Sequence, residues 1–523
     1  MHSTEEVDEE GLTAWAVGPA DQQYPELVRG TNQRYVGTPE KVRLVSRVEQ
    51  VAPVVREAVD LGKRLTVRSG GHCYEDFVFN PEVQVVLDLS RLSEVYFDPE
   101  MNAVAIESGA TLLKVYQVLY RQWGVTIPAG VCYSVGMGGH VIGGGWGMLC
   151  RQYGLVVDYL YAVEVVVVDA DGQVRTVVGT REPDDPNHDL WWAHTGGGGG
   201  NFGVVTRFWF RSPGATGTNP SELLPRPPAT VLLSALAWSW DDLTQEQFTR
   251  LLRNYGQWHV DNLEPGSPNS VINSWLVLFH RSGGGIGLLS QVDATRPDSR
   301  SLLEDYLSKA TDGVPLSQGG VAPGEGAPLQ KFATPRELPW LQATTYLSTS
   351  HQVLTDPTFR AEYKSAYMRA NVPEDQVAVL YKHLTREDFA NPYAFVQFTP
   401  FGGQVAAVAP DATASAHRDA AYQIHWQSMW HDPAEDEANI AWSREFYEEM
   451  YASTGGVPVL DDLTDGCYIN YPDADLLDPR FNRSSTPWHD LYYKDNYPRL
   501  QRIKAHWDPR NFFRHSQSIE PPA

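Results

Sequence analysis

The sequence predicts an α+β protein of two domains, on three observations. The chain has 523 residues, more than one ordinary core can bury, and 42% of them are apolar, enough to fill two. The first 205 residues alternate short apolar strands with helical runs and carry three glycine-rich segments. From about residue 214 proline becomes frequent and the glycine loops spread out, so the middle region reads as a separate α+β unit. The expected divisions are 1–213, 214–460 and a tail, 461–523, that returns to compact motifs.

Residues 1–40 read as an irregular lead-in. Val42 to Val45 is a short strand. Ser46 followed by Glu49 is a capping-box pattern that opens a helix to about Leu61, closed by Gly62, with Pro53 as a candidate kink. Arg64 to Val67 is the next strand and delivers the loop Arg68-Ser69-Gly70-Gly71-His72. Val83 to Leu87 is apolar and strand-like; Val95 to Phe97 and Ala103 to Ile106 flank the turn residues Asp98 and Pro99. Leu112, Val115, Tyr116 and Leu119 have helical spacing, which places a helix over Thr111–Trp123. Val163 to Val168 and Val174 to Val178 bracket Asp169-Ala170-Asp171-Gly172, a hairpin signal. Farther on, Trp275–Phe279 and Val405–Val408 read as strands and 311–328 as a long surface loop. Glu435–Tyr451 reads as a helix that buries Ile440, Phe446, Tyr447 and Met450, and a tail helix is expected near Pro498–Trp507.

The net charge of −24 argues against a nucleic-acid partner, because phosphate binding needs a basic surface. Four cysteines, Cys73, Cys132, Cys150 and Cys467, form neither a disulfide framework nor a metal-type pair. His188 and His194 lack ligand spacing, so no metal is expected. The N-terminus is acidic, without a basic region or a long apolar stretch, and no membrane span is visible; the expectation is a cytoplasmic protein. Sixteen Trp and 25 Tyr suit a ring-lined pocket.

The glycine segments do not match the common nucleotide signatures. Gly196 to Gly200 is not followed by Lys-Ser/Thr, and Gly-x-Gly-x-x-Gly fits only loosely at 143–147. A hydrolase elbow, Gly-x-Ser-x-Gly, is absent from the sequence. Taken alone, His72 reads more readily as a hydrogen-bonded structural histidine and Cys132 as a small buried apolar residue. Three glycine runs within 205 residues instead suggest one extended ligand crossed by several backbone loops. A ring nitrogen and a thiol beside such surfaces could be attached to that ligand.

Together the segments RSGGHCYEDF (68–77), GVCYSVGMGGHVIGGGWG (130–147), QYGLVVDYL (152–160), DLWWAHTGGGGGNFGVVT (189–206) and CYINYPDADL (467–476) carry a resemblance that spans residues 30–519. The chain resembles the berberine-bridge-enzyme-like flavin oxidases of the vanillyl-alcohol-oxidase (VAO) superfamily. Within them it is most similar to the bacterial subgroup that tailors natural products, which includes hexose oxidases acting on glycopeptide antibiotics and oxidases acting on anthracycline sugars. The resemblance implies a two-domain VAO/PCMH-type FAD-binding fold with its core at about 36–213. The substrate domain would be built on an antiparallel sheet flanked by helices.

The resemblance also implies roles. His72 would be linked to the 8α-methyl of FAD and Cys132 to carbon 6, two covalent linkages. Arg68, Ser69, Gly70 and Gly71 would hold the pyrophosphate. Val135, Gly136, Gly138, Gly139, His140, Val141 and Gly143 would line a second wall; Asn201, Gly203 and Val205 would lie near the adenosine; Tyr468 and Asn470 would approach the isoalloxazine. Tyr471, in Tyr468-Ile469-Asn470-Tyr471, would be the base. A phenol with a free pKa of about 10 needs nearby positive charge or hydrogen bonds for that task. Trp146 stands where the tailoring relatives often carry a tyrosine, so the substrate chemistry need not copy theirs. Trp146 and Tyr393 are the named pocket candidates, and Tyr346, Tyr363 and Tyr381 are further pocket tyrosines. Val135, near the oxygen approach path, favours O2 as acceptor and hydrogen peroxide as product. The implied activity is oxidation of an alcohol on a glycosylated or polycyclic natural product to a carbonyl or carboxylate, by a monomer or homodimer. Oxidative ring closure or desaturation is the alternative chemistry. A metabolite-sequestering binding protein is disfavoured by the presence of His72, Cys132 and Tyr471 together.

Overall fold

The computed structural model describes residues 13–316 and 327–522. Three sheets organise them. The first is β1 (Trp15–Val17), β2 (Lys41–Leu44), β3 (Leu65–Arg68) and β4 (Val85–Asp88), in the order β1-β2-β4-β3, parallel except for β1. The second is β5 (Val95–Asp98), β6 (Ala103–Glu107), β7 (Leu160–Val168), β8 (Val174–Thr180) and β9 (Val204–Phe210), in the order β5-β6-β9-β7-β8, antiparallel throughout. β7 carries five valines in nine residues because it is covered on both faces. Val163, Val165 and Val167 join one core, and Val166 and Val168 the other, beside the first sheet.

The third sheet has seven antiparallel strands: β10 (Thr230–Ser239), β11 (Ile272–Phe279), β12 (Gly285–Asp293), β13 (Arg336–Pro339), β14 (Arg360–Met368), β15 (Ala394–Pro400) and β16 (Tyr422–Trp430). Their order is β13-β10-β12-β11-β15-β16-β14. Leu276, Leu278, Val396, Phe398, Ile424 and Trp426 pack beneath four helices, Gln245–Asp261, Ser299–Ala310, Glu374–Thr385 and Asp436–Met450. Each such side chain contributes roughly 1.5–3 kcal/mol. A one-residue slip would send them all to the other face, so the register is strongly held. The intervening residues face a cavity shared with the first 210 residues and the tail.

The structure departs from the sequence expectations at five places. The helix Val51–Asp60 is opened by Gln50, whose amide oxygen accepts from Ser46 N–H at 2.8 Å and Arg47 N–H at 3.1 Å, not by the Ser46/Glu49 pair. Pro53 sits in its first turn, where a missing N–H costs nothing, and is not an interior residue. The lead-in contains β1 and pairs it to β2. Residues 405–408 do not form a strand; Gly402 and Gly403, with φ of +77° and +57°, turn the chain into a 3-10 helix, Gly403–Ala407. In Asp436–Met450 the buried face is Asn439, Trp442, Ser443, Phe446, Tyr447 and Met450, with Ile440 at its half-buried edge. Much of the surface loop expected at 311–328 lies outside the described residues. Among the described residues, no helix is long and apolar enough to cross a membrane.

Candidate active site

β3 ends at Arg68 and the chain turns at once through Gly71, φ +76°. Arg68 donates from Nη1 to the buried carboxylate of Asp88 at 2.7 Å, while its Nε is buried without a partner. Ser69 donates to the carbonyl of Ser108 at 2.6 Å. The 130–142 segment lies directly against this loop. A Cβ on Gly70 would stand 2.3 Å from Gly136 N, and one on Gly136 would stand 2.5 Å from Gly70 N. Only two glycines back to back allow that approach.

The two loops wall a cavity of about 460 Å³. Arg68, Ser69, Gly70, Gly71 and His72 line one side; Cys132, Val135, Gly136, Gly138, Gly139 and His140 line the next. The third wall brings Asn201, Gly203 and Val205, and the tail brings Tyr468, Asn470 and Tyr471. Asn201 spends its amide on the protein: Nδ2 donates to the carbonyls of Gly197, Gly198 and Gly199, and Oδ1 accepts from Ile519 N–H at 2.8 Å. It therefore shapes the glycine loop and ties it to the tail.

His72 and Cys132 meet over one side chain. Ser134 Oγ is 2.9 Å from His72 Nε2 and 3.9 Å from Cys132 Sγ. Burial, with the Arg68 charge adding to it, lowers His72 to about 4, so its ring is neutral. Burial pushes the Cys132 thiol up, opposed by hydrogen bonds from Ser134 and Val135.

At the sheet end the walls are aromatic. Tyr471 stacks on His425 at 3.9 Å between centroids, with Tyr74 at 5.4 Å, and Tyr74 stacks on Tyr363 at 3.6 Å. Trp146 meets Tyr471 edge-on at 6.4 Å. The two tail tyrosines differ in employment. The Tyr468 hydroxyl accepts from Gly145 N–H at 3.2 Å and from Asn470 Nδ2 at 3.0 Å. Among the described residues nothing hydrogen-bonds the Tyr471 hydroxyl, which belongs to a cavity-lining residue. Burial, then Tyr468, Cys132 and Tyr363, push Tyr471 well above the ordinary tyrosine value. Burial lowers His425 to about 3 and leaves its Nε2 without a partner.

The chain matches two family models, the FAD binding domain over residues 39–177 and the berberine and berberine-like domain over 467–520. It is 48% identical over 507 residues to the aclacinomycin-N/aclacinomycin-A oxidase of Streptomyces galilaeus, covering 97% of this chain and 90% of that protein. The chain belongs to the berberine-bridge-enzyme-like FAD-linked oxidases. Two solved structures of similar sequence superpose on it. A flavoenzyme involved in shunt product recycling in caerulomycin biosynthesis is 46% identical with TM-score 0.92, covering 98% of this chain and 100% of the other. A glycopeptide hexose oxidase complexed with teicoplanin is 46% identical with TM-score 0.89, covering 97% and 99%. The fold is accordingly the VAO/PCMH-type FAD-binding fold, α+β, and the chain is an FAD-linked oxidoreductase.

The berberine-bridge-like cavity fits FAD on its own chemistry. The orphaned Arg68 Nε supplies an unspent donor beside the glycine loop. Gly139 has no atom within 4 Å of where its Cβ would be, so its missing side chain leaves room on the cavity wall.

Three expected site residues fall elsewhere. Val141 and Gly143 do not line the cavity. On the short helix Met137–Ile142 the cavity is lined by Gly138, Gly139, His140 and Ile142, and Val141 points into the core. Gly143 is small because a Cβ there would strike the Asn470 amide at 2.1 Å. Tyr393 is also outside the cavity; it packs on Phe359 at 5.0 Å and its hydroxyl lies 3.4 Å from Gln352 Oε1. Of the further tyrosines, Tyr363 reaches the site through Tyr74, whereas Tyr346 packs on Phe332 and Tyr381 on Phe248.

The sequence reading missed Ser134, Tyr74 and the sheet face: Trp275, Val277, Leu289, Phe395, Gln397, His425 and Gln427. A signal existed on β16, where Gln423, His425 and Gln427 alternate with apolar residues. Polar side chains every second position on a buried strand need something to face. The acidic group Glu362, Asp473 and Asp475 lies behind the tail and is occupied by Lys364, whose Nζ donates to Asp473 at 2.9 Å and Asp475 at 2.8 Å.

Proposed function

We propose that this chain is a bicovalently flavinylated oxidase that oxidises an alcohol carbon of a glycosylated or polycyclic natural product and passes the electrons to O2. The observation that carries the reading is the meeting of His72 and Cys132 over one hydroxyl, on a wall of the cavity that Tyr471 also lines. On this reading, 1–213 and 461–523 form the FAD half and 214–460 the substrate half. Bound FAD would supply the hydride acceptor. Arg68 to Gly71 would hold its phosphates, His72 and Cys132 its benzenoid edge, and Gly136, Gly138, Gly139 and His140 the adjoining wall.

The chain's own groups then handle the substrate. The sheet face offers Trp275, Val277, Leu289 and Phe395 to an apolar body, and Gln397, Gln427 and His425 to hydroxyls. No carboxylate or ammonium is among these sheet-face groups, which favours a neutral substrate. Tyr471, with a hydroxyl not spent on the protein, would take the alcohol proton. Trp146 stands edge-on to it and contributes a wall, since an indole has no acid–base chemistry at neutral pH.

The test has two parts. Flavin that stays with the acid-denatured protein, and a Cys132→Ala variant that keeps it through a single bond with a changed visible spectrum, are the expected results. Tyr471→Phe should retain flavin and slow its anaerobic reduction by a glycoside or polyketide alcohol by about 10²–10⁴-fold. Release of all flavin on denaturation overturns the covalent reading, and unchanged reduction in Tyr471→Phe removes the base.

A further inference from the structure

Ser134 has no part in the chemistry above, yet among the described residues it is the side chain that reaches both candidate tethers. We infer that Ser134 is the positioning residue for flavin attachment, its hydroxyl orienting the His72 ring and receiving the Cys132 proton as each bond forms. The inference rests on the covalent reading proposed above.

Ser134 Oγ engages Nε2 of His72 at 2.9 Å, which leaves Nδ1 as the ring nitrogen without that hydrogen bond. When Oγ accepts Nε2–H, the tautomer is fixed and the Nδ1 lone pair is free to attack. The ring is held neutral, so it is a nucleophile without first losing a proton. Cys132 has the opposite problem: burial favours its thiol, and Ser134 is the side chain that helps the thiolate. The 8α-methyl and carbon 6 lie on the same edge of the isoalloxazine. Two groups that must reach one edge are here bridged by one hydroxyl.

The balance of each bond is the same. The new N–C bond replaces a C–H of the methyl group, and the new S–C bond replaces the C–H at carbon 6. Each leaves two protons, one from carbon and one from the imidazole or thiol. Each also leaves an electron pair on the flavin, which dioxygen removes as hydrogen peroxide. One peroxide is therefore released per bond formed. Ser134 passes the Nε2 or thiol proton towards solvent.

The experiment compares full-length wild type, Ser134→Ala and Ser134→Thr, each purified with its FAD. Proteolytic peptides containing His72 or Cys132 are weighed for the flavin mass. Ser134→Ala is expected to bind FAD but to show at least tenfold slower attachment at Cys132 and reduced occupancy at His72. Ser134→Thr, which keeps the hydroxyl, should match wild type. Raising the pH should restore the Cys132 bond in Ser134→Ala, because hydroxide then makes the thiolate; a merely structural defect would not respond. Attachment at both residues in Ser134→Ala at the wild-type rate overturns the inference alone. Free flavin from denatured wild type overturns the covalent reading and this inference with it.

Discussion

A phenol accepts a proton only after losing its own, and everything around Tyr471 in this fold opposes that loss. Burial raises it first, and Tyr468, Cys132 and Tyr363 add to the effect. Below its pKa the phenolate fraction rises tenfold per pH unit. The rate of flavin reduction by substrate should therefore climb with pH, without a plateau, from neutral to about pH 9. Stopped-flow reduction measures this; a plateau below pH 8 would mean that bound flavin or substrate supplies the missing stabilisation. His425 stacks on the Tyr471 ring and keeps an unpartnered Nε2 at the cavity. His425→Leu should raise KM several-fold for a hydroxylated substrate while leaving the pH slope intact. At Val135, also on the cavity wall, substitution by Leu should slow reoxidation by O2 more than reduction. Tyr471, His72 and Cys132 could be named as candidates from the sequence because the resemblance attaches a role to each of those positions. Ser134, Tyr74 and His425 could not, because each matters through side-chain contacts that only the fold brings together.

At the scale of elements, the three glycine runs suggested one extended ligand crossed by backbone loops, and the structure divides their glycines position by position. Gly71 serves a turn, Gly70 and Gly136 serve loop contact, Gly143 admits Asn470, and Gly139 faces the cavity. Period-2 and period-3.6 patterns placed most strands and helices well, since burial acts on every residue of such an element. Val405–Val408 misled because four apolar residues show no period, and the paired glycines before them decide the turn. The glycines also give a contrasting pair of variants. Gly70→Ala drives a methyl into Gly136 N, a backbone atom that cannot step aside; it should cost about 1–3 kcal/mol and lose bound FAD. Gly139→Ala meets nothing within 4 Å and replaces glycine within a helix, which alone is worth roughly 0.5–1 kcal/mol. Its melting temperature should hold or rise while FAD binding weakens. Equal melting temperatures for the two variants would contradict this division of roles.

Across the whole molecule, the active site is a junction of distant segments, and a buried charge cluster holds the junction closed. Arg34 of the lead-in pairs with Glu362 on β14. Lys364, two residues on, binds Asp473 and Asp475 of the tail, and Arg444 from the helix Asp436–Met450 binds Asp475 at 2.7 Å. Glu75, three residues beyond His72, accepts from Ala474 N–H at 2.9 Å. Asp473 is only two residues past Tyr471, so these pairs set where the tail tyrosine stands relative to the flavin loop. Glu362, Asp473 and Asp475 face Arg34, Lys364 and Arg444, and burial outweighs Lys364 at Asp473 and raises it to about 7. Burial raises Asp475, but Lys364 and Arg444 outweigh it and hold the carboxyl well below the usual range. Its contribution is therefore complete above about pH 4, the unfolded carboxylate value, and is lost as pH falls below that. Lys364→Met removes the central cation and strands buried negative charge, at a cost of about 3–5 kcal/mol. Without Lys364, Asp473 rises further above its unfolded value and Asp475 rises with it, so the folded variant binds more protons than wild type and regains stability as pH falls from 8 to 5. Thermal melts of the holoprotein across that range should show the gap to wild type narrowing on the acid side. The double variant Lys364→Met/Asp473→Asn, which withdraws one of the stranded charges, should recover part of the loss at pH 8. A gap that stays constant with pH would mean the loss comes from packing, not from charge.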